Sequence, residues 1–241
     1  MIEKIRGIIV SETTYGDTSK IINIMTPSHG IVGIMCKGVK SMKSKLRAVT
    51  AKYTYGDFHM YYKEGKLSVL IAVDVIDEFI NLKTDITLLS YLSYITDLSY
   101  QVSKQNKTPE TFNLLIKSAL KMNEGLNPQI ITNILEIKLL DFLGVGLNLN
   151  GCIKCGDTKN IATIDGSSGG YVCKKCFTNE KIVEPKTIQM LRMYYYVELN
   201  SITSINVSDK ISREIEYFLD KYYGQFTGLY LKSKEFLKSI K

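Results

Sequence analysis

Four of the chain's five cysteines fall in two tight pairs, Cys152-Ile153-Lys154-Cys155 and Cys173-Lys174-Lys175-Cys176, with 17 residues between the pairs. No other feature restricts the fold as strongly. A two-residue gap lets both sulfurs of a pair approach one ion at about 2.3 Å, and a second pair completes a tetrahedron. The separation lies within the range of a four-thiolate zinc ribbon. Gly151 and Gly156 leave room for a tight turn. Lys154, Lys174 and Lys175 partly offset the roughly −2 charge of a zinc tetrathiolate. Cysteine at all four places describes a closed structural site with no position for water or substrate. Metal binding of this kind supplies ~10–16 kcal/mol to a segment too small for its own core. A redox dithiol and an iron–sulfur centre are the other readings, although a redox pair belongs at a helix start after a strand. Cys36, alone after the apolar run of residues 31–35, reads as a buried strand cysteine in preference to a nucleophile.

Before the cysteines the period of the sequence changes once. Residues 1 to about 80 read as five short strands. Apolar runs at 5–10, 20–25 and 31–37 are separated by the turns Tyr15-Gly16-Asp17 and Pro27-Ser28-His29-Gly30. Tyr53, Tyr55, Phe58, Met60 and Tyr62 follow, and Glu64-Gly65-Lys66 turns into an apolar run at 67–79. Five strands in so short a stretch hide their edges most economically by closing into a small barrel, here of OB type. From about residue 84 the spacing is helical, with Leu88, Tyr91, Leu92, Ile95, Leu98 and Val102 on one face. Thr108-Pro109 and Asn127-Pro128 each read as a cap followed by proline at the first helical position. The second of these helices buries Ile131, Ile134, Leu135, Leu139 and Phe142 and stops at Gly144. Beyond the cysteines, Ile188, Leu191 and Tyr195 suggest a fourth helix. Ser208 caps a fifth that carries Ile211, Ile215, Phe218, Leu219 and Tyr222 and ends at Gly224. The expected fold class is α+β: an OB-fold barrel at 1–80, a helical domain at 81–150 and 179–241, and a four-cysteine zinc ribbon inserted at 151–178.

A chain of 241 residues with 45% hydrophobic content is long enough for two or three packed units. The N-terminus has no secretory pattern, and no uninterrupted apolar stretch approaches the ~18 residues that span a bilayer. A cytoplasmic protein with no membrane partner is expected, and cysteine pairs in that reducing compartment favour metal. Lys and Arg number 31 against 24 Asp and Glu, a net +7 that suggests a polyanionic partner without proving one. The excess is concentrated: Lys37, Lys40, Lys43, Lys45, Arg47 and Lys52 occupy a stretch with no acidic residue, loosened by Gly38, Ser41 and Ser44. Between two barrel strands this reads as a mobile loop that follows a phosphate backbone, with Tyr53, Tyr55, Phe58, Tyr61 and Tyr62 offering faces for bases. A solvated connector beside ordinary barrel aromatics is the plainer reading. Lys232, Lys234, Lys238 and Lys241 extend the basic surface or form a charged tail. Enzymatic motifs are absent. His29 and His59 sit in no triad or protease context, and there is no phosphate-binding G-x-x-x-x-G-K. Gly166-Ser167-Ser168-Gly169-Gly170 matches a nucleophile-elbow pattern only formally. It lies between the cysteine pairs and follows both histidines, so Ser168 reads as a turn residue.

The ordered combination resembles the RecO family of bacterial recombination and repair proteins. The pieces that match are Tyr15-Gly16-Asp17, residues 26–30, the basic run 37–46, residues 136–144, the cysteine pairs with Gly169-Gly170 between them, and residues 231–236. They run the length of the chain in order. The resemblance implies a non-enzymatic mediator that binds single- and double-stranded DNA and anneals complementary strands. With RecR it would help load RecA onto DNA covered by single-strand-binding protein, whose acidic, apolar C-terminal tail family members bind. By position, Lys37, Lys40, Lys43, Lys45 and Arg47 would contact the DNA backbone. Cys152, Cys155, Cys173 and Cys176 would hold structural Zn2+. Lys138 and the apolar faces around it are a candidate for the tail pocket. The setting implied is the bacterial cytoplasm, associated with the nucleoid. Three other classes remain open on the residues alone: a zinc-ribbon accessory factor of transcription or translation, a protein–protein adaptor whose basic loop meets acidic tails, and, least favoured given the absent motifs, an enzyme of unrecognised type.

Overall fold

Residues 2–77 alternate buried and exposed side chains in runs bounded by glycine-bearing turns, and they form five strands. In a computed structural model that describes residues 1–240, these are β1 (Ile2–Tyr15), β2 (Ser19–Thr26), β3 (Gly30–Cys36), β4 (Tyr55–Tyr61) and β5 (Ser68–Asp77). They close in the order β1-β2-β3-β5-β4. β1 pairs antiparallel with both β2 and β4, and a short parallel pairing of Ile34 with Ser68 and Met35 with Val69 seals β3 to β5. Closure leaves no strand edge to recruit a foreign chain, which is the expectation drawn for the OB barrel. Its core is Ile5, Ile9, Ile22, Ile24, Val32, Ile34, Phe58, Met60 and Leu70, with Cys36 fully buried among them. Burial pushes the Cys36 thiol up to about 12, so it packs as a small apolar group.

The barrel needs close backbone approach between β1 and β2 and between β4 and β5. Gly7 and Gly56 face each other in the β1–β4 register. A Cβ at Gly56 would stand 2.5 Å from the Asp74 carbonyl oxygen, and one at Gly7 2.9 Å from that of Met25. Outside the barrel, Arg6 grips Asp57 with two parallel hydrogen bonds of 2.7 and 3.0 Å. Lys4 and His59 reach Asp74 at 3.1 and 2.8 Å. Arg6 holds the Asp57 carboxyl below the usual carboxylate range, and His59 with Lys4 does the same for Asp74.

The chain divides into two compact units, 1–119 and 120–241. The first adds to the barrel two single turns, α1 (Leu46–Val49) and α2 (Ile80–Lys83), the long α3 (Ile86–Gln105) and the greater part of α4 (Pro109–Asn123). Asp85 caps α3 by accepting from the Leu88 amide at 2.9 Å.

In the second unit α5 (Pro128–Phe142) is the centre. Asn127 caps it from the side chain, and Pro128 opens it as expected. Ile130, Ile131, Ile134, Leu135, Ile137, Leu139 and Leu140 are all buried, a ring of apolar residues that marks a helix covered on most sides. α6 (Pro185–Tyr196) and α7 (Asp209–Phe226) pack on it, and α8 (Lys232–Ser239) follows. Ser208 caps α7 through the Ile211 amide. Three details differ from the sequence reading. Tyr194, not Tyr195, is the buried tyrosine of α6, and Phe142 is only half-buried at the end of α5. α7 runs past Gly224 to Phe226, where the tilted rings of Tyr222 and Phe226 meet one turn apart at 4.6 Å; the left-handed residue beyond its end is Gly228. Among the described residues no helix is long and apolar enough to cross a membrane.

Candidate metal centre and nucleic-acid interface

The cysteines sit on a three-stranded sheet between α5 and α6, made of β6 (Asn148–Cys152), β7 (Ile161–Asp165) and β8 (Gly170–Cys173) in the order β6-β8-β7. Each pair closes on itself through main-chain bonds. The Gly156 amide donates to the Cys152 carbonyl at 2.7 Å, and the Cys176 and Phe177 amides donate to that of Cys173 at 3.1 and 2.9 Å. Gly156 adopts a left-handed φ of +79° to make the first turn, and a Cβ at Gly151 would meet its carbonyl oxygen at 2.8 Å. Both glycines named from the sequence are therefore required by geometry. Parallel pairing of Cys152 with Tyr171 brings the first pair beside the second.

The four sulfurs lie within 4.8 Å of one another, and those of Cys155 and Cys173 are 3.6 Å apart. Sulfurs at about 2.3 Å from one ion in a tetrahedron are about 3.8 Å from each other. The spacing fits a shared metal ion and is too long for disulfides, and all four are free thiols. Burial raises the Cys152 thiol, but the amides of Cys173, Lys154 and Cys155 outweigh it and bring it down to about 6. The Cys155 thiol, ahead of burial, pushes Cys176 up to about 12. Crowded thiolates repel, and a dication at their centre lets all four ionise. Lys154 adds local positive charge while donating to the Cys176 carbonyl at 3.2 Å and pairing with Glu180 at 2.5 Å. Four sulfur donors would fill the coordination of one tetrahedral ion and leave no open position on it for a substrate. Ser168 is a turn residue as read from the sequence; its amide and hydroxyl donate to Asp165.

The basic segment belongs to the first unit and is more ordered than a free loop. Val39 is buried, Leu46 packs on the barrel core, and the Thr50 hydroxyl donates to the Leu46 carbonyl at 2.6 Å. The Gly38 amide donates to Ser19 and the Lys40 amide to the Thr18 carbonyl at 2.9 Å. The apolar anchors Val39 and Leu46 inside the charged run are the sequence signal of that order. The anchoring turns Lys37, Lys40, Lys43, Lys45 and Arg47 outward: all five are exposed, and none makes an ion pair among the described residues. Lys40 and Arg47 rim a groove of about 450 Å³ that also takes in Glu12, Thr13, Thr14, Lys20 and Val39. Lys20 there is neutralised by Glu12 at 2.6 Å.

The stacking platform expected beside the segment is not there. Tyr53, Tyr55 and Phe58 are buried: Phe58 fills the barrel core, and Tyr55 packs on Phe112 with ring centroids 6.3 Å apart. Tyr61 and Tyr62 lie at the far end of the strand. Lys52 folds back over the Tyr53 ring at 4.7 Å. The C-terminal lysines are also largely spoken for. Lys234 is half-buried, pairs with Glu136 and lies 3.0 Å from Asp220, and Lys238 pairs with Asp220 at 2.9 Å. They fasten α8 down, and Lys232 is exposed and in no ion pair among the described residues; Lys241 lies outside them. Lys138 is half-buried, donates to the Tyr195 carbonyl at 3.2 Å, and is lowered by that burial.

Residues 1–79 match the family model described as recombination protein O N terminal, and residues 83–235 match recombination protein O C terminal. The chain is 31% identical over 244 residues to the DNA repair protein RecO of Bacillus subtilis, covering 100% of this chain and 95% of that protein. It is 32% identical, with the same coverage, to the protein of that name from Bacillus pumilus. Against the DNA repair protein RecO of Listeria monocytogenes the identity is 31% over 242 residues, covering 99% and 94%.

Proposed function

The chain belongs to the recombination protein O (RecO) family, and on that premise we propose that it is a mediator of DNA repair and homologous recombination. In this reading it binds single- and double-stranded DNA and anneals complementary strands. With RecR it helps load RecA onto DNA coated by single-strand-binding protein, whose C-terminal tail it engages. It works in the bacterial cytoplasm at the nucleoid. The observation that carries the reading is the set of five outward, unpaired cations held on an OB barrel by Val39, Leu46 and Thr50. Two DNA strands repel each other, and a cationic surface lowers that repulsion; no bond is made or broken, so no catalytic residue is called for. Lys37, Lys40, Lys43, Lys45 and Arg47 take the phosphates. Cys152, Cys155, Cys173 and Cys176 hold Zn2+, which supplies a fixed cross-link for a ribbon too small to have a core of its own.

Fluorescence anisotropy with labelled oligonucleotides tests the reading. Single- and double-stranded DNA of unrelated sequences should bind with similar strength, weakening as salt rises. Failure to bind either at low salt overturns it, and a marked preference for RNA or for one sequence points instead to an accessory factor of transcription or translation.

A further inference from the structure

Strand pairing gives the barrel two ends. Tyr15 pairs with Ser19 at one, where the basic segment emerges, while Ile2 pairs with Tyr61 and Thr26 with Gly30 at the other. At that second end the β2–β3 turn, the β4–β5 turn and the segment after α3 enclose a cavity of about 740 Å³. Its walls carry Lys63, Lys66 and Lys107, all exposed and none in an ion pair among the described residues. Of the nearby carboxylates, Glu3 faces His29 at 3.8 Å, which leaves Glu64 as the free one on the rim. Lys107 follows the carbonyl end of α3, whose partial charge of about −0.5 one ammonium outweighs.

The turns that present these groups are fixed. The Thr26 hydroxyl donates to the Gly30 carbonyl and accepts from the His29 amide, both at 2.9 Å, and the Lys63 amide donates to Ser68 at 3.1 Å. His29 meets Tyr62 edge-on with ring centroids 5.0 Å apart, which places two rings at the mouth of the cavity. Unpaired lysines beside aromatic rings are the combination that holds single-stranded nucleic acid: phosphates on the ammonium groups, bases against the rings. This second end has the aromatic surface that the basic segment lacks.

We infer that the cavity bounded by Lys63, Lys66, Lys107, His29 and Tyr62 is a second binding site for single-stranded nucleic acid, distinct from the basic segment at the opposite end of the barrel. The inference rests on the reading that the barrel binds DNA and deepens it: one barrel with a strand at each end holds two strands at once. A bound pair at a fixed separation raises their effective concentration for each other, as linked sites do.

The test uses the full chain and two non-complementary single strands, one labelled with a donor and one with an acceptor fluorophore. The variant Lys63→Gln/Lys66→Gln/Lys107→Gln changes only exposed side chains, and the circular dichroism of the parent should be retained. The parent should bring the two strands within energy-transfer distance. The triple variant should bind one strand within about twofold of the parent, since its basic segment is intact, yet lose most of the energy transfer. Energy transfer equal to the parent's overturns the second site, and so does a parent that binds one strand and never pairs two. A parent that binds no strand overturns the DNA-binding reading itself.

Discussion

Replacing Lys40, Lys43 and Lys45 with alanine removes three of the five unpaired cations on the basic segment and touches none of its anchors. Val39, Leu46 and Thr50 keep their packing, so the barrel should melt as before. The effect on binding is a matter of counterions. Each phosphate neutralised on a single strand contributes about −0.7 to the slope of log affinity against log salt. Five contacts give about −3.5, and the two left in the variant about −1.4. Between about 50 and 200 mM salt, affinity should fall about 130-fold for the parent and only about 7-fold for the variant. Anisotropy titrations of a short single strand, with parent and variant both carrying Lys63→Gln/Lys66→Gln/Lys107→Gln so that only the basic segment is read, give both slopes directly. The loss should be even across DNA sequences, because phosphate contacts carry no base information. Identical slopes for parent and variant would refute the assignment of these lysines, whatever happened to the affinity at one salt.

The cysteine site should bind one zinc per chain, measurable by elemental analysis of the purified protein. Cys173→Ser, at a fully buried sulfur, should abolish that stoichiometry and unfold the ribbon while leaving the barrel intact, and retention of full zinc would sink the four-thiolate assignment. Lys234→Ala removes the cation paired with Glu136, which is almost wholly buried, and should lower the stability of the second unit in chemical denaturation. The same cluster sets a pH window. Burial lowers Lys234, but Glu136 and Asp220 outweigh it and raise it above the ordinary lysine value, so its contribution is full below about 10.4 and fades as pH climbs past that. Burial raises Asp220, but Lys234 and Lys238 hold it below the ordinary value, so its contribution is present above about 3.9 and fades in stronger acid. In Lys234→Ala the alkaline loss of stability should flatten, and an unchanged alkaline limb would contradict the pairing.

Where the sequence spoke clearly it did so through short-range chemistry. The barrel was legible because turn glycines and alternating runs such as Ile22, Ile24, Val32 and Ile34 prescribe which face is buried. The helix starts at Asn127-Pro128 and Ser208 were legible because a capping side chain acts within three residues. The cysteine set was legible because metal ligands fix their own spacing. What stayed hidden depends on residues far apart in the chain. Lys234 meets Glu136 across 98 positions, and nothing local announces that a lysine in a charged tail will be tied to a buried carboxylate. Tyr55 and Phe58 read as stacking faces in the sequence, but Phe112 and the barrel core, distant in the chain, cover them. Lys63, Lys66 and Lys107 are scattered over 45 positions and gather only when the barrel closes. The order in the basic segment had a visible signal in Val39 and Leu46, two apolar residues among lysines, whose meaning depends on the barrel core beneath them.

Annealing of two complementary oligonucleotides, each coated beforehand with single-strand-binding protein and followed without ATP, tests the mediator reading most directly. The protein should accelerate duplex formation over the coated strands alone, and Lys40→Ala/Lys43→Ala/Lys45→Ala should remove most of that acceleration. A folded, zinc-loaded protein that leaves the rate unchanged would contradict the account.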